Sequence, residues 1–148
     1  VTFAASSGAQ RALSSATSFN IPVGATVRWL GLWNGGTYLG YSPNAGNPKE
    51  YIADPTSYTF TCPGHGYVNT NKVTIYGDTV PAGLVEGTVY YVVSATANTF
   101  QLAATAGGSA INFTTAGGSG CVVSTITEEV YAGGGTHTIS SWTLGLPN

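Results

Sequence analysis

Apolar and polar positions along this chain alternate with a period of two far more often than they repeat with the helical period of 3.6. No window of a dozen residues combines apolar spacing at i, i+3 and i+4 with good helix formers. Short runs recur instead, each bounded by Gly, Pro, Asn or Asp, which is how strands read in sequence. The pattern predicts strands over Thr17 to Ile21, Thr26 to Trp33, Thr37 to Tyr41, Lys49 to Ala53, Tyr58 to Cys62 and Lys72 to Tyr76. It predicts further strands over Thr88 to Ser94, Thr99 to Ala103, Ile111 to Thr114, Cys121 to Tyr131, Thr136 to Ile139 and Trp142 to Leu146. Within Thr26 to Trp33, Val27, Trp29, Gly31 and Trp33 share one face, and Arg28, Leu30 and Leu32 share the other. Apolar residues on both faces predict a central strand, with Trp29 and Trp33 pointing into a core. Asn34-Gly35-Gly36 accepts positive φ, so Trp29 to Tyr41 reads as a tight hairpin. Thr88 to Ser94 and Thr99 to Ala103 predict a second hairpin across Ala95 to Asn98.

So many short strands with frequent turns define the all-β class, a sandwich or a barrel. Residues 54–120 have their own strands and aromatics and end at the break Gly117-Gly118-Ser119-Gly120. The expected organisation is a β-sandwich built from 1–53 plus 121–148, with 54–120 inserted as a small β-barrel-like module. An inserted domain needs its ends close together, which predicts Thr61-Cys62 near Cys121-Val122.

Composition narrows the function classes. A length of 148 residues suits one ordinary domain or two small ones. Charged residues are only 7% and the net charge is −2. Four Lys and Arg cannot build a basic footprint, which argues against nucleic-acid binding through phosphates. Apolar runs no longer than stretches such as Val89 to Val93 predict no membrane span. Three Trp, nine Tyr and five Phe are too many for a chain without a core. Gly (21), Thr (21) and Ser (13) dominate. A surface of such uncharged residues suits large assemblies or the outside of cells better than an isolated cytosolic enzyme. The chain opens at Val1 and contains no Met, which fits a processed or cropped product or an unusual start codon.

The candidate chemistry is sparse. Cys62-Pro63-Gly64-His65-Gly66 offers two metal-ligand types, with Cys121 or His137 to complete a set. Zinc wants about four ligands, and a single Cys-x2-His is more simply a turn whose imidazole caps the module core or bonds backbone. The expectation is therefore no metal site. Cys62 and Cys121 are expected as free, buried thiols, with a disulfide between them as the alternative. Glu128-Glu129 project to opposite faces of a strand, so they form no acid–base dyad; either can pair with Arg11 or Arg28. Asp54 and Asp78 adjoin turns, where Asp caps local backbone. No Gly-x-Ser-x-Gly appears, and neither His has an evident Asp partner. Gly107-Gly108 and Gly117 to Gly120 lack the helix and Lys of a phosphate loop and read as turns. The expectation is no catalytic residue and no cofactor. Trp29, Trp33, Tyr38 and Tyr41 cluster on one hairpin. Such a row either packs a core, the favoured reading, or stacks on sugar rings.

Several stretches resemble proteins of tailed bacteriophages. Val1-Thr2-Phe3-Ala4-Ala5-Ser6-Ser7-Gly8, Phe19-Asn20-Ile21-Pro22-Val23-Gly24-Ala25-Thr26-Val27, Gly31-Leu32-Trp33, Gly35-Gly36-Thr37-Tyr38-Leu39-Gly40 and Thr143-Leu144-Gly145-Leu146 form one set. They are similar to the C-terminal β-sandwich of phage tail-fibre, minor tail or capsid-associated proteins, which in that family follows a further N-terminal segment. The second set is His65-Gly66, Lys72-Val73-Thr74-Ile75-Tyr76-Gly77, Pro81-Ala82-Gly83-Leu84, Gly87-Thr88-Val89-Tyr90-Tyr91-Val92-Val93 and Asn98-Thr99-Phe100-Gln101-Leu102. It resembles a small β module inserted in phage structural proteins. The resemblance implies a non-enzymatic virion structural protein, assembled in the host cytoplasm. The expected role is capsid decoration or minor capsid protein, docked on a symmetric surface of major capsid or tail proteins as a homo-oligomer, a trimer by analogy. The alternative role is a minor tail or tail-fibre protein that binds host-surface glycans.

Overall fold

The computed structural model describes residues 10–12, 15–34, 36–140 and 143–145. The described residues are all-β, with strands and no helix. In chain order they are β1 (Gln10–Ala12), β2 (Thr17–Ile21), β3 (Ala25–Val27), β4 (Trp29–Asn34), β5 (Thr37–Pro43), β6 (Lys49–Glu50), β7 (Ile52–Asp54) and β8 (Thr59–Thr61). Then follow β9 (Lys72–Tyr76), β10 (Tyr90–Val93), β11 (Thr99–Ala103), β12 (Val122–Thr125), β13 (Glu129–Tyr131), β14 (Gly135–Ile139) and β15 (Thr143–Gly145).

Two compact units emerge. One is the continuous segment Val27–Glu128; the other gathers the described parts of 1–26 and 129–148. The boundaries thus fall at Thr26/Val27 and Glu128/Glu129 rather than around 54–120. The strands expected over Thr26 to Trp33 and Cys121 to Tyr131 are each interrupted where the chain passes between units, at Arg28 and at 126–128. Arg28 lies between β3, which pairs with β13, and β4, which pairs with β5, and its carbonyl accepts from Asn44 N (2.7 Å).

The larger unit is built on a seven-stranded sheet of order β6-β12-β9-β10-β11-β8-β7. It takes in β6, β7 and β12, which lie outside 54–120. The sheet is not closed into a barrel by hydrogen bonds. Its two edge strands, β6 and β7, are nevertheless successive in the chain, with only Tyr51 between them. The edges must therefore meet at that residue, and the sheet curls around its inner face.

Register shows what that face carries. Phe60 lies opposite Phe100 and Ala53, Leu102 opposite Val92, Tyr90 opposite Val73, and Ile75 opposite Val123. All nine are buried, and Phe60, Phe100, Val73, Ile75, Val92 and Val123 are fully so. Phe60 is the hub. Its ring stacks on Phe100 at 5.4 Å, meets Phe113 at 5.1 Å and takes Tyr51 edge-on at 5.0 Å. Aromatic pairs in such arrangements add to the gain from burial alone. Ile111 to Thr114, expected as a strand, forms none. It is held by the bond Ile111 N to Leu102 O (2.7 Å), while Phe113 plugs the core.

The outer face is covered in part. Thr74 and Ser124 lie opposite each other there and are fully buried. The turn after β5 lies over them: a Cβ on Gly46 would come within 2.8 Å of Ser124 Oγ, and Thr125 Oγ1 donates to Ala45 O. At the end of β9, Gly77 has φ +149°, and a Cβ there would lie 2.7 Å from Cys121 Cα. Only glycine lets the two chains pass so closely.

In the smaller unit the described strands pair as β2 with β14, β3 with β13 and β1 with β15. Thr17 to Ile21 is a strand as expected. β14 alternates, with His137 and Ile139 buried and Thr136 and Thr138 exposed. Ser18 Oγ and Thr138 Oγ1 form a cross-strand hydrogen bond of 2.8 Å. Val1 to Gly8 and Trp142 lie outside the described residues.

Because Phe60 touches three aromatic rings and has no exposed surface, Phe60→Ala is expected to lose about 3–5 kcal/mol of stability. Urea unfolding followed by Trp fluorescence measures this. A loss under about 1 kcal/mol would mean that this ring is not the centre of the core.

Candidate functional site

The β4–β5 hairpin forms across 34–36 as the Asn-Gly-Gly signal predicts, with Trp29 opposite Pro43 and Gly31 opposite Tyr41. The register shifts between Leu32 and Trp33: Leu32 faces Gly40, but Trp33 faces Tyr38, so Leu39 is an extra residue. A bulge of this kind re-aims side chains. In a regular strand Tyr38 would face away from Tyr41. The bulge turns it onto the face that carries Trp29, Gly31, Trp33 and Tyr41.

This hairpin is a two-stranded sheet on its own, not a central strand pair. That corrects the expectation of inward-pointing Trp. Trp33 is 60% exposed, Tyr38 48% and Tyr41 40%, and Trp29 is half-buried. Alternation correctly places both Trp on one face, but among the described residues no second layer covers them. The rings pack on each other instead: Trp29 with Tyr41 at 5.2 Å and 88°, and Trp33 with Tyr38 at 5.1 Å and 59°. Tyr41 also lies 6.4 Å from Tyr76 of β9, which fixes the base of the hairpin.

These four aromatics line an open groove of about 530 Å³. Its other wall is Glu86-Gly87-Thr88, from the loop between β9 and β10. That loop is held by Gly87 N donating to Ile75 O (3.1 Å) and Val85 N donating to Tyr90 Oη (2.8 Å). Tyr41 Oη donates to Glu86 Oε1 at 2.9 Å and ties the two walls together. Burial first, and then this bond and the carboxylate charge, push the Tyr41 hydroxyl up to about 12, so it remains a donor at neutral pH. Gly31, with no side chain, lets the Trp33 ring lie close over the strand. A Cβ there would meet Trp33 Nε1 at 3.1 Å.

The remaining chemical candidates are separate from the groove. Glu128 pairs with Lys72 Nζ and Arg28 Nε within the larger unit. These bonds, Lys72 first and Arg28 second, hold its carboxyl below the usual carboxylate range. Glu129 bonds within the smaller unit. Tyr131 Oη donates to Glu129 Oε2 at 2.8 Å, and His137 Nδ1 lies 3.0 Å from both oxygens. The adjacent carboxylates go to different partners, although Glu128 precedes β13 and shares no strand with Glu129. Asp54 caps its own turn, accepting from Thr56 N (2.9 Å) and Ser57 Oγ (2.7 Å).

His65 is a turn residue. Its Nδ1 accepts from Tyr67 N at 2.8 Å, and its ring packs against Phe100. Among the described residues, no three His, Cys, Asp or Glu converge as metal ligands. Cys62 and Cys121 are free and buried. Cys62 follows β8 and Cys121 precedes β12, and these two strands are not hydrogen-bonded neighbours in the sheet. Cys121 Sγ donates to Thr79 O at 3.0 Å, and burial pushes the Cys62 thiol up.

Comparison of the chain with family models, with curated proteins and with solved structures gives no match. Sequence reasoning found the four aromatics but missed Glu86. Its partner Tyr41 is 45 residues away, and no local spacing marks it.

Two predictions follow from these geometries. Stability should fall as pH drops through and below the ordinary carboxylate range, because Glu128 and Asp54 both have lowered pKa values and lose their bonds on protonation. Glu128→Gln should flatten the acid limb of melting temperature against pH; an unchanged limb would rule the pairing out as a contributor. A thiol reagent should find no reactive cysteine in the native protein and two after denaturation. Rapid native labelling would contradict the burial of Cys62 and Cys121.

Proposed function

We propose that this chain is a non-enzymatic surface-recognition protein of a tailed-phage particle, and that the hairpin groove binds a saccharide of the host surface. The observation that carries the binding role is the exposure of Trp33, Tyr38 and Tyr41 on one face, walled by Glu86. Exposed aromatic surface on a chain of this size marks a contact site more often than an accident of packing. Saccharide rings present apolar C–H faces to aromatic rings and hydroxyls to acceptors, and the groove offers both kinds of partner. The placement in a phage particle is supported by the motif resemblance and by an uncharged surface rich in Gly, Thr and Ser. Between the two virion roles, the groove favours the tail-associated, glycan-binding one over capsid decoration, because docking on a shell gives no reason to keep a cleft open.

The test is titration calorimetry with a panel of neutral oligosaccharides of glucose, galactose and N-acetylglucosamine. At least one should bind, and Trp33→Ala should weaken it about tenfold or more, equal to ~1.4 kcal/mol. Trp33 is mostly exposed, so this variant should keep its fold, which circular dichroism checks. Binding unaffected by Trp33→Ala, or no binding by any sugar in the panel, would overturn the saccharide reading.

A further inference from the structure

We propose that Glu86 makes the hairpin groove selective for a ligand that carries an ammonium group, such as an amino sugar or a choline-type headgroup. This rests on the groove being a binding site and names the chemistry it selects. Three observations support it.

The first is charge. Tyr41 Oη is the described hydrogen-bond donor to Glu86, and none of the described ion pairs engages this carboxylate. The chain has only four Lys and Arg. Arg28 and Lys72 are committed to Glu128, and Lys49 Nζ donates to Gly64 O. Among the described residues no cation lines the groove, so an acidic ligand meets a carboxylate and the negative faces of aromatic rings. A cationic ligand meets favourable partners on both sides.

The second is ring arrangement. A flat sugar platform wants rings laid coplanar. Here Trp29 and Tyr41 are perpendicular, and Trp33 and Tyr38 are turned by 59°. Rings set at angles present several π faces to one small volume, which suits a compact cation. The third is room. Gly87 stands beside the Tyr41 hydroxyl without a side chain, and a Cβ there would have only that oxygen within 4 Å, at 3.9 Å.

The experiment is titration by Trp fluorescence and calorimetry at constant ionic strength, with four probes: choline chloride, glucosamine oligomers, N-acetylglucosamine oligomers and glucuronate. The wild type should bind at least one ammonium probe tenfold or more tightly than its neutral counterpart, and glucuronate weakest. Added salt should reduce the preference. Glu86→Gln keeps an acceptor for Tyr41 and should remove the preference, so that glucosamine and N-acetylglucosamine oligomers bind alike. Trp33→Ala should weaken every probe. Tight choline binding identifies the headgroup source; binding of glucosamine oligomers without choline identifies the amino-sugar source. Equal binding of glucosamine and N-acetylglucosamine oligomers, unmoved by Glu86→Gln, overturns the ammonium proposal and leaves the saccharide reading intact. A preference for glucuronate overturns the ammonium proposal as well. If neither the four probes nor the neutral panel binds the wild type, both readings fall.

Discussion

Tyr51 stands alone between two strands that occupy opposite edges of the same seven-stranded sheet. That single-residue link is the constraint on which the larger unit depends. A sheet whose first and last strands are covalent neighbours cannot lie open, so it curls and encloses one face. With no helix to cover it, the enclosed face must fill itself with its own side chains, and Phe60, Phe100 and Phe113 do so with no more than 2% exposure. The aromatic ring of Tyr51 also reaches Phe60 edge-on, so the residue that joins the edges helps to fill what they surround.

The outside of the same sheet explains the groove. Thr74 and Ser124 would be poor partners for an apolar layer, and the 43–46 turn covers them closely. That turn anchors the root of the β4–β5 hairpin, while the aromatic tip has no layer above it. The hairpin is therefore fixed at one end and open along its aromatic face. The scarcity of charge sharpens this arrangement. Two of the four basic side chains converge on Glu128, which leaves Glu86 as an acid among rings.

Much of this was legible in the sequence, and the failures have physical causes. β2, β9 and β11 match their predicted bounds because each is a short alternating run between clear turn residues. The Asn-Gly-Gly hairpin was legible because its turn chemistry is local. Alternation also placed Trp29 and Trp33 on one face. It does not say what lies above that face, so both were expected in a core. The bulge at Leu39 has no distinctive residue signal, and it alone decides that Tyr38 joins the row. The interruptions at Arg28 and 126–128 fall where the chain changes strand partner, from β13 to β5 and from β9 to β3, which local propensity cannot report. Cys62 and Cys121 were expected side by side because the insert was drawn at 54–120. In the seven-stranded sheet, β8 and β12, the strands next to the two cysteines, have three strands between them.

Arg28 is the second residue of the larger unit and Glu128 is its last, and their side chains are joined. The 99 residues between them thus begin and end at one clasped neck. To any polypeptide that carried it, such a block behaves like a short loop: it asks for two anchor points a few ångströms apart and little further loss of chain freedom. A segment built this way can be transplanted between host chains, or lengthened and remodelled within, without stretching the backbone on either side of the clasp.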